Sequence, residues 1–338
     1  MITFLIVLLI LAILFFIIKK RSNGPLNNIK KDLTGKLVII TGCSDGIGLE
    51  TAKDILNSNA KVIFACRNKS KTENIINNLP DNLKKNAIFM KLDLVSFKNI
   101  YDFSNEIKTK FQRIDILINN AGMSPSILSK TEDGYIDTFQ VNYLGNVLLT
   151  LLLLDHFNEK ESKIVSVSSM GYKWSSIASG YSKYFNDFDK MMEYYTKQKS
   201  KAALYMDTKL MLVYFTQYLA DFIEKKYPYL KVVCLHPGLI FTNIMQLETL
   251  FQKIIFYVFL RNIFYVFSKD VKHGAQTTLF CSYSDNKDLV NGAYYNNLKL
   301  EKYIPIAKDE NLRKEIVNET LNILKSKYNE LSYLPLIS

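Results

Sequence analysis

Leu37 to Gly48 reads LVIITGCSDGIG. Its first four residues are apolar without polar alternation, the pattern of a strand covered on both faces in a parallel sheet. Gly42, Gly46 and Gly48 then break the run, and a helix pattern follows from Ile47 to Asn57. Strand, glycine turn and helix start together form a phosphate cradle. The glycines let the backbone turn tightly and approach a pyrophosphate, and the helix start offers free N–H donors and a positive dipole end. The spacing is T-G-x-x-x-G-x-G rather than G-x-G-x-x-G. Alone it also describes an ordinary surface turn, so the rest of the chain decides its meaning.

The chain has 338 residues, 48% of them apolar, enough for one large α/β domain with additions. Its four cysteines (Cys43, Cys66, Cys234, Cys281) are scattered, share no metal-ligand spacing and read as reduced core residues. Three histidines (His156, His236, His273) do not build a metal site, and no metal is expected. The net charge is +11, from 43 Lys+Arg against 32 Asp+Glu. An anionic cofactor or a membrane surface accounts for that balance. No basic stripe interleaved with aromatics appears, so no nucleic-acid partner is expected.

Ile2 to Ile18 is an uncharged run of 17 residues, just long enough to span a bilayer core, and Lys19, Lys20 and Arg21 follow it. The small-residue cleavage site of a signal peptide is lacking, so an uncleaved anchor with its basic flank (residues 1–21) is expected. Positive charge after the run places the remaining chain on the cytosolic side. Residues 22–34, with Gly24-Pro25, read as a linker. Residues 35–300 read as the cofactor-binding and catalytic domain, and 301–338 as a helical extension.

The domain alternates strands and helices. Strands are expected at Lys61–Cys66, Ala87–Leu92, Ile114–Ile118, Lys163–Val167 and Val232–Leu235, with helices over Phe97–Phe111, Thr131–Phe157 and Leu204–Glu224. The expected fold class is therefore α/β, a doubly wound parallel sheet with helices on both faces and its ligand at the carboxyl ends of the strands. Arg67 ends the second strand. A carboxylate there would hold an adenosine ribose 2′-hydroxyl; a cation accommodates a 2′-phosphate, so NADP(H) is preferred over NAD(H). Asp93-Leu94 ends the third strand, where an adenine edge is met. Asn119-Asn120-Ala121-Gly122 ends the fourth, its small residues allowing close approach to a flat ligand.

In this order, Thr41–Gly48, Asn119–Gly122, Asn142 in QVNYLGN, Ser169 after IVSVS, Tyr205-x-x-x-Lys209 and Pro237-Gly238 resemble the short-chain dehydrogenase/reductase family over about residues 35–300. The stretches FACRN, FQVNYLGN, TKLMLVYFTQYLA and LHPGLIFT are similar to its membrane-anchored, retinol-dehydrogenase-like branch. The resemblance implies Asn142, Ser169, Tyr205 and Lys209 as the catalytic set. Gly42, Ser44, Asp45, Gly46, Ile47, Gly48, Arg67, Asp93, Leu94, Asn120, Ala121, Gly122, Tyr205, Lys209, Pro237, Gly238, Ile240 and Thr242 would line the cofactor. Asn142 would hold a water leading from Lys209 to solvent. The chemistry is coherent: hydride addition to a carbonyl leaves an oxygen needing a proton, and a tyrosine of pKa about 10 needs tuning to supply it. A lysine four residues on shares its helix face, and a serine hydroxyl can steady the developing charge.

Tyr195-x-x-x-Lys199 has the same spacing. From Ser169 the two tyrosines lie 26 and 36 residues away, and the shorter interval is the usual one for this branch. Lys209, however, runs into the amphipathic LMLVYFTQYLADFI and reaches Pro237 after 28 residues, against 38 from Lys199. Tyr205 is therefore the expected acid–base group, and Trp174–Ala203 an insertion. His236 reads as structural. Leu247–Phe267, apolar and aromatic, reads as a substrate lid or as an interfacial helix dipping into lipid. The expected enzyme is an NADP(H)-dependent oxidoreductase of a lipophilic alcohol or carbonyl (retinoid, steroid or long-chain), on a membrane such as the endoplasmic reticulum. A homo-oligomer stays open. The alternatives are a 3-ketoacyl or porphyrin-type substrate, or a membrane-bound scaffold without turnover.

Overall fold

All five residues of β1 (Leu37–Thr41) are buried. Leu37 and Ile39 enter one hydrophobic core while Val38 and Ile40 enter another on the opposite face, which is why the run shows no alternation. The computed structural model describes residues 13, 15–124, 127–240 and 265–337. Seven further strands join β1: β2 (Lys61–Cys66), β3 (Ala87–Lys91), β4 (Ile116–Asn119), β5 (Ser162–Val167), β6 (Leu230–His236), β7 (Tyr294–Asn296) and β8 (Lys299–Glu301). Their order across the sheet is β3-β2-β1-β4-β5-β6-β7-β8. Every pairing is parallel except the last, β7 with β8. The chain winds outward from β1 to β3, then returns to β4 on the other side of β1. That reversal opens a crevice above the carboxyl ends of β1 and β4, where such sheets take their ligands.

One face carries α1 (Gly46–Asn57), α2 (Lys69–Asn77) and α6 (Val271–Tyr283), with Ala52, Ile55, Ile76, Ala275 and Leu279 in its core. The other carries α3 (Phe97–Lys110), α4 (Gly145–Leu153), α5 (Lys201–Lys226) and α7 (Glu310–Lys327). All nine residues of α4 are buried, as befits a helix apolar all round. The terminal helix α7 keeps a polar face outward but sends Leu312, Ile316, Leu321 and Leu324 into the same core as α4 and α5.

The doubly wound parallel sheet agrees with the sequence; several boundaries do not. Helix does not begin at Thr131, because Lys130 bridges Ile136 across a turn in which Gly134 takes φ 93°. One helical turn at Asp137–Phe139 comes next, then a π-helical turn at Gln140–Leu144, before α4 starts. Strand β4 starts at Ile116 rather than Ile114. Asp115 instead clasps the amino ends of the two central strands, its carboxylate accepting from Leu37 N at 2.8 Å, Lys36 Nζ at 2.9 Å and Asn158 Nδ2 at 3.0 Å.

Residues 15–23 are helical, yet no helix among the described residues is long and apolar enough to cross a membrane. Most of the Ile2–Ile18 run lies outside the described residues, as do positions 247–264 of the apolar stretch ending at Phe267. The chain from Lys19 to Asn27 is stitched down. Lys19 Nζ donates to the carbonyls of Tyr265 and Ser268, each at 2.7 Å. Asn23 and Asp270 exchange two hydrogen bonds at 3.2 and 3.1 Å, and Asn27 N donates to Gln276 Oε1 at 2.9 Å.

The stretch Trp174–Ala203 is a compact patch of short turns packed by Tyr181, Tyr184, Phe185, Tyr194 and Tyr195. Carboxylates of α5 and α7 hold it. Glu315 of α7 accepts from Gly180 N at 2.7 Å and Ser182 N at 2.9 Å. Asp207 of α5, fully buried, accepts from Ser175 Oγ at 2.7 Å, Ser176 N at 3.2 Å and the Tyr195 hydroxyl at 2.7 Å. Asp207→Ala should lower stability by about 2–4 kcal/mol, because three donors, the buried Tyr195 hydroxyl among them, lose their acceptor. Burial raises the Asp207 carboxyl above its ordinary 3.8 despite these hydrogen bonds. The folded chain then binds more protons than the unfolded one between 3.8 and the raised value. The stability of the natural chain minus that of Asp207→Asn should therefore fall as pH rises through this window and be flat above it. Urea unfolding of both chains from pH 4 to 7 measures it, and a difference that rises with pH would contradict the assignment.

Candidate active site

Gly42 ends β1 in the left-handed region, φ 64°, where a Cβ would stand 2.9 Å from the Ala121 Cα. The close approach is secured by side chains. Thr41 Oγ1 accepts from Asn120 N at 3.0 Å and Ala121 N at 2.9 Å, while Asn120 Nδ2 donates to the carbonyls of Thr41 (2.9 Å) and Gly42 (3.2 Å). A Cβ on Gly48 would meet that Asn120 nitrogen at 2.5 Å. The turn after β1 and the turn after β4 are thus one piece. Asp45 caps α1, its Oδ1 accepting from Gly46 N at 2.8 Å. Cys43 and Cys66, both buried, touch behind the cradle with sulfurs 3.8 Å apart. A floor bare of side chains and a helix start aimed across it fit the pyrophosphate of a dinucleotide.

Ser169 lies just beyond β5 and caps a 3₁₀ turn, Met170–Trp174, by accepting from Gly171 N at 3.0 Å. The Tyr205 ring, in the first turns of α5, stands beside it: Ser169 Oγ and Tyr205 Cε1 lie 3.3 and 3.6 Å from the point a Cβ on Gly171 would occupy. One turn on, the Lys209 ammonium stands 5.6 Å from the Tyr205 ring centre and donates to the Val167 carbonyl at 2.9 Å. It also lies 3.3 Å from the point a Cβ on Gly122 would occupy, which brings it to the mouth of the β4 turn. Burial lowers Lys209 to about 8, so it remains mostly protonated at neutral pH. Burial also raises Tyr205 above its ordinary 10, with the Ser169 hydroxyl pulling the other way. The Tyr205 hydroxyl is protonated and able to donate.

Asn142 sits in the π-helical turn, a distortion frequent at functional sites. Its Oδ1 accepts from Met123 N at 2.7 Å, and its Nδ2 donates to the Met123 carbonyl at 2.8 Å and to Thr208 Oγ1 at 3.3 Å. The side chain therefore ties the β4 turn to α5. Both its arms are engaged with protein partners.

Tyr195 lies elsewhere: it is fully buried in the tyrosine-rich patch, its hydroxyl bonded to Asp207 and Tyr181. Arg67 stands exposed at the end of β2. Asp93 and Leu94 follow β3, and the Leu94 carbonyl would meet a Cβ on Gly145 at 2.9 Å. Asp93 also borders a hollow of about 560 Å³ that reaches none of Ser169, Tyr205 or Lys209. After β6 come Pro237 and Gly238, the latter at φ 103°. Ile240 pairs with Lys269 and packs beside Gly274, within reach of Ile47 at the start of α1. Thr242 lies outside the described residues. The sequence pattern assigned no task to three groups that hold the site together. Thr41 fastens the two glycine turns, Ser168 donates to the Lys209 carbonyl at 2.9 Å, and His236 accepts from Met170 N at 3.0 Å. Burial, with Lys269 nearby, lowers His236 to about 4, so it is neutral and its Nδ1 free to accept. Only their positions, next to the glycine, serine and proline motifs, marked them.

A family profile described as short chain dehydrogenase matches residues 36–182. Retinol dehydrogenase 14 of Mus musculus is 31% identical over 88% of this chain and 90% of its own length. Retinol dehydrogenase 12 of Homo sapiens is 29% identical over 91% of this chain and 92% of its own. Among solved structures, a short chain dehydrogenase from Shigella flexneri 2a in complex with NADP superposes with a TM-score of 0.58 at 20% identity, covering 80% of this chain and 100% of that one.

The cradle offers a direct test. Gly48→Ala needs no unusual φ, but its Cβ would meet the Asn120 amide nitrogen at 2.5 Å, the Gly42 carbonyl oxygen at 2.8 Å and the Cys43 Cα at 2.9 Å, so both Asn120 and the cradle backbone must shift. Stability should fall by about 1–3 kcal/mol and dinucleotide binding should weaken with it. Urea titration and cofactor fluorescence on the same samples report both; unchanged values in both would show that the two turns are not coupled.

Proposed function

The chain belongs to the short-chain dehydrogenase/reductase family, in its retinol-dehydrogenase-like branch, and from that membership we propose that it interconverts a hydroxyl and a carbonyl on a lipophilic substrate with NADP(H). Membership makes it an oxidoreductase acting on CH–OH groups. The lipophilic substrate is proposed from the retinol dehydrogenases it is similar to. The observation that carries the chemistry is the meeting of the Ser169 hydroxyl and the Tyr205 ring beside the Lys209 ammonium, at the strand ends where the glycine cradle opens.

NADP(H), when bound, supplies or accepts the hydride. The cradle from Gly42 to Gly48 with Ser44, Asp45 and Ile47 would hold its pyrophosphate, Arg67 the 2′-phosphate, and Asp93 and Leu94 the adenine. Asn120, Ala121 and Gly122 would line the ribose, with Pro237, Gly238, Ile240 and Thr242 toward the nicotinamide. In carbonyl reduction Ser169 and Tyr205 both donate hydrogen bonds to the substrate oxygen, and Tyr205 gives up its proton as charge builds there. Lys209 offsets the negative charge left on the phenolate. Asn142 keeps the β4 turn and α5 in register, and His236 fixes the turn that presents Ser169. Arg67 supports NADP(H) over NAD(H) on electrostatic grounds.

The same reading includes membrane attachment. Residues 1–21 would anchor the chain, 22–34 link it, 35–300 form the catalytic unit facing the cytosol at the endoplasmic reticulum, and 301–338 extend it. Ile13, Phe15, Phe16 and Ile17 are exposed beside Lys20 and Arg21, a composition suited to a lipid boundary. The stretch 247–267 would serve as the apolar lid or dip into lipid.

Two outcomes are expected. NADPH oxidation against a panel of long-chain aldehydes and ketones should fall about 10³-fold or more in Tyr205→Phe, with NADPH affinity nearly unchanged, while Tyr195→Phe retains turnover. The reverse ranking would move the acid–base role to Tyr195, and cofactor binding without turnover on any substrate would favour a scaffold. Deleting residues 1–21 should shift the protein from the membrane pellet toward the supernatant; full retention in the pellet would place the main anchor elsewhere.

A further inference from the structure

The corner beyond β2 carries more charge than the proton chemistry uses. Arg67 leaves the strand into solvent, and Asn68 then caps α2 by accepting from Lys71 N at 2.9 Å. That turn carries the Lys71 ammonium back across the groove to 3.0 Å from Asp45 Oδ2. Asp45 is held in place because its other oxygen caps α1. A fixed carboxylate thus stands at the border between the phosphate cradle and the Arg67 corner. Both side chains of the pair are about half exposed or more (63% for Asp45, 47% for Lys71), so an incoming ligand can exchange with either.

A carboxylate is a good helix cap, but Ser, Thr or Asn makes the same hydrogen bond without charge. Here the negative charge sits where an anionic ligand is expected, and it occupies Lys71, one of the cations at that corner. We infer that Asp45 sets the cofactor selectivity of this chain by competing with the 2′-phosphate for Lys71, which blunts the preference for NADP(H) and keeps the site open to NAD(H). A ligand bearing a 2′-phosphate meets Arg67 and Lys71 but must divide Lys71 with Asp45 and lie near its charge. A ligand bearing a 2′-hydroxyl leaves the ion pair intact and finds in Asp45 an acceptor for that hydroxyl, the role a carboxylate plays at this corner of dinucleotide sites. The inference rests on the dinucleotide reading of the cradle and adds its specificity element.

The test is equilibrium binding of NADPH and NADH to the full-length chain in detergent, by nicotinamide fluorescence, with thermal melting as a folding control. Asp45→Asn keeps the cap and removes the charge. It should tighten NADPH about fivefold to tenfold and weaken NADH, which loses the charged acceptor of its 2′-hydroxyl. Lys71→Gln should weaken NADPH by a similar factor without affecting NADH. In the double variant Asp45→Asn with Lys71→Gln the two changes should not add, because each acts through the same pair. Unchanged NADPH affinity in Asp45→Asn with a normal melt, or strict additivity, would overturn the inference. Failure of both nucleotides to bind the natural chain would overturn the dinucleotide reading instead, and Arg67→Gln, expected to weaken NADPH alone, separates the two.

Discussion

At the carboxyl ends of β1 and β4 two backbones run closer together than any side chain between them would allow. Gly42 against Ala121, with Thr41 and Asn120 sewing the turns to each other, fixes the width of the crevice. The sheet order places these ends side by side at the reversal point, and the two cores hold β1 rigid from both faces. The other site elements are measured from this junction. Gly122 leaves room for the Lys209 ammonium, and Asn142 joins Met123 to α5.

Burial decides the proton chemistry. The same low-dielectric surroundings lower Lys209 to about 8 and lift Tyr205, since each is disfavoured in its charged form. The site therefore holds a neutral phenol beside an ammonium that donates to the Val167 carbonyl. A neutral phenol is ready to donate, and a weakly held cation is ready to answer the charge that donation leaves behind. His236, neutral at about 4, adds no competing titration near neutrality.

How far the sequence was readable depends on the range of the forces at work. Local patterns carried the sheet and the glycine cradle, because burial on both faces and positive φ leave residue-level marks at Leu37–Ile40 and Gly42. The choice between Tyr205 and Tyr195 rested on the helix text after Lys209, and the structure sets Tyr205, not Tyr195, beside Ser169. The turn at Gly134 inside a helix-like stretch was not visible, since Thr131 to Phe157 keeps helical spacing throughout and only the Lys130–Ile136 bridge interrupts it. The path of Trp174–Ala203 was hidden for a different reason: Glu315, far along the chain in α7, and Asp207, buried in α5, hold it through contacts that no local pattern marks. Thr41, Ser168 and His236 were invisible as site residues because each acts through a backbone group.

The segment from Lys19 to Asn27 is sewn along the outside of α6, and its Asn23 grips Asp270, the residue that caps that helix. Next to it, the stem of Lys269 lies across Gly238, so closely that a Cβ there would meet it at 2.5 Å. A pull or tilt applied at the chain's beginning is thus delivered at position 270 and passed to the turn after β6 by direct contact, bypassing the sheet. In mechanical terms the N-terminal strap is a lever whose short arm ends beside Gly238, at the carboxyl end of β6.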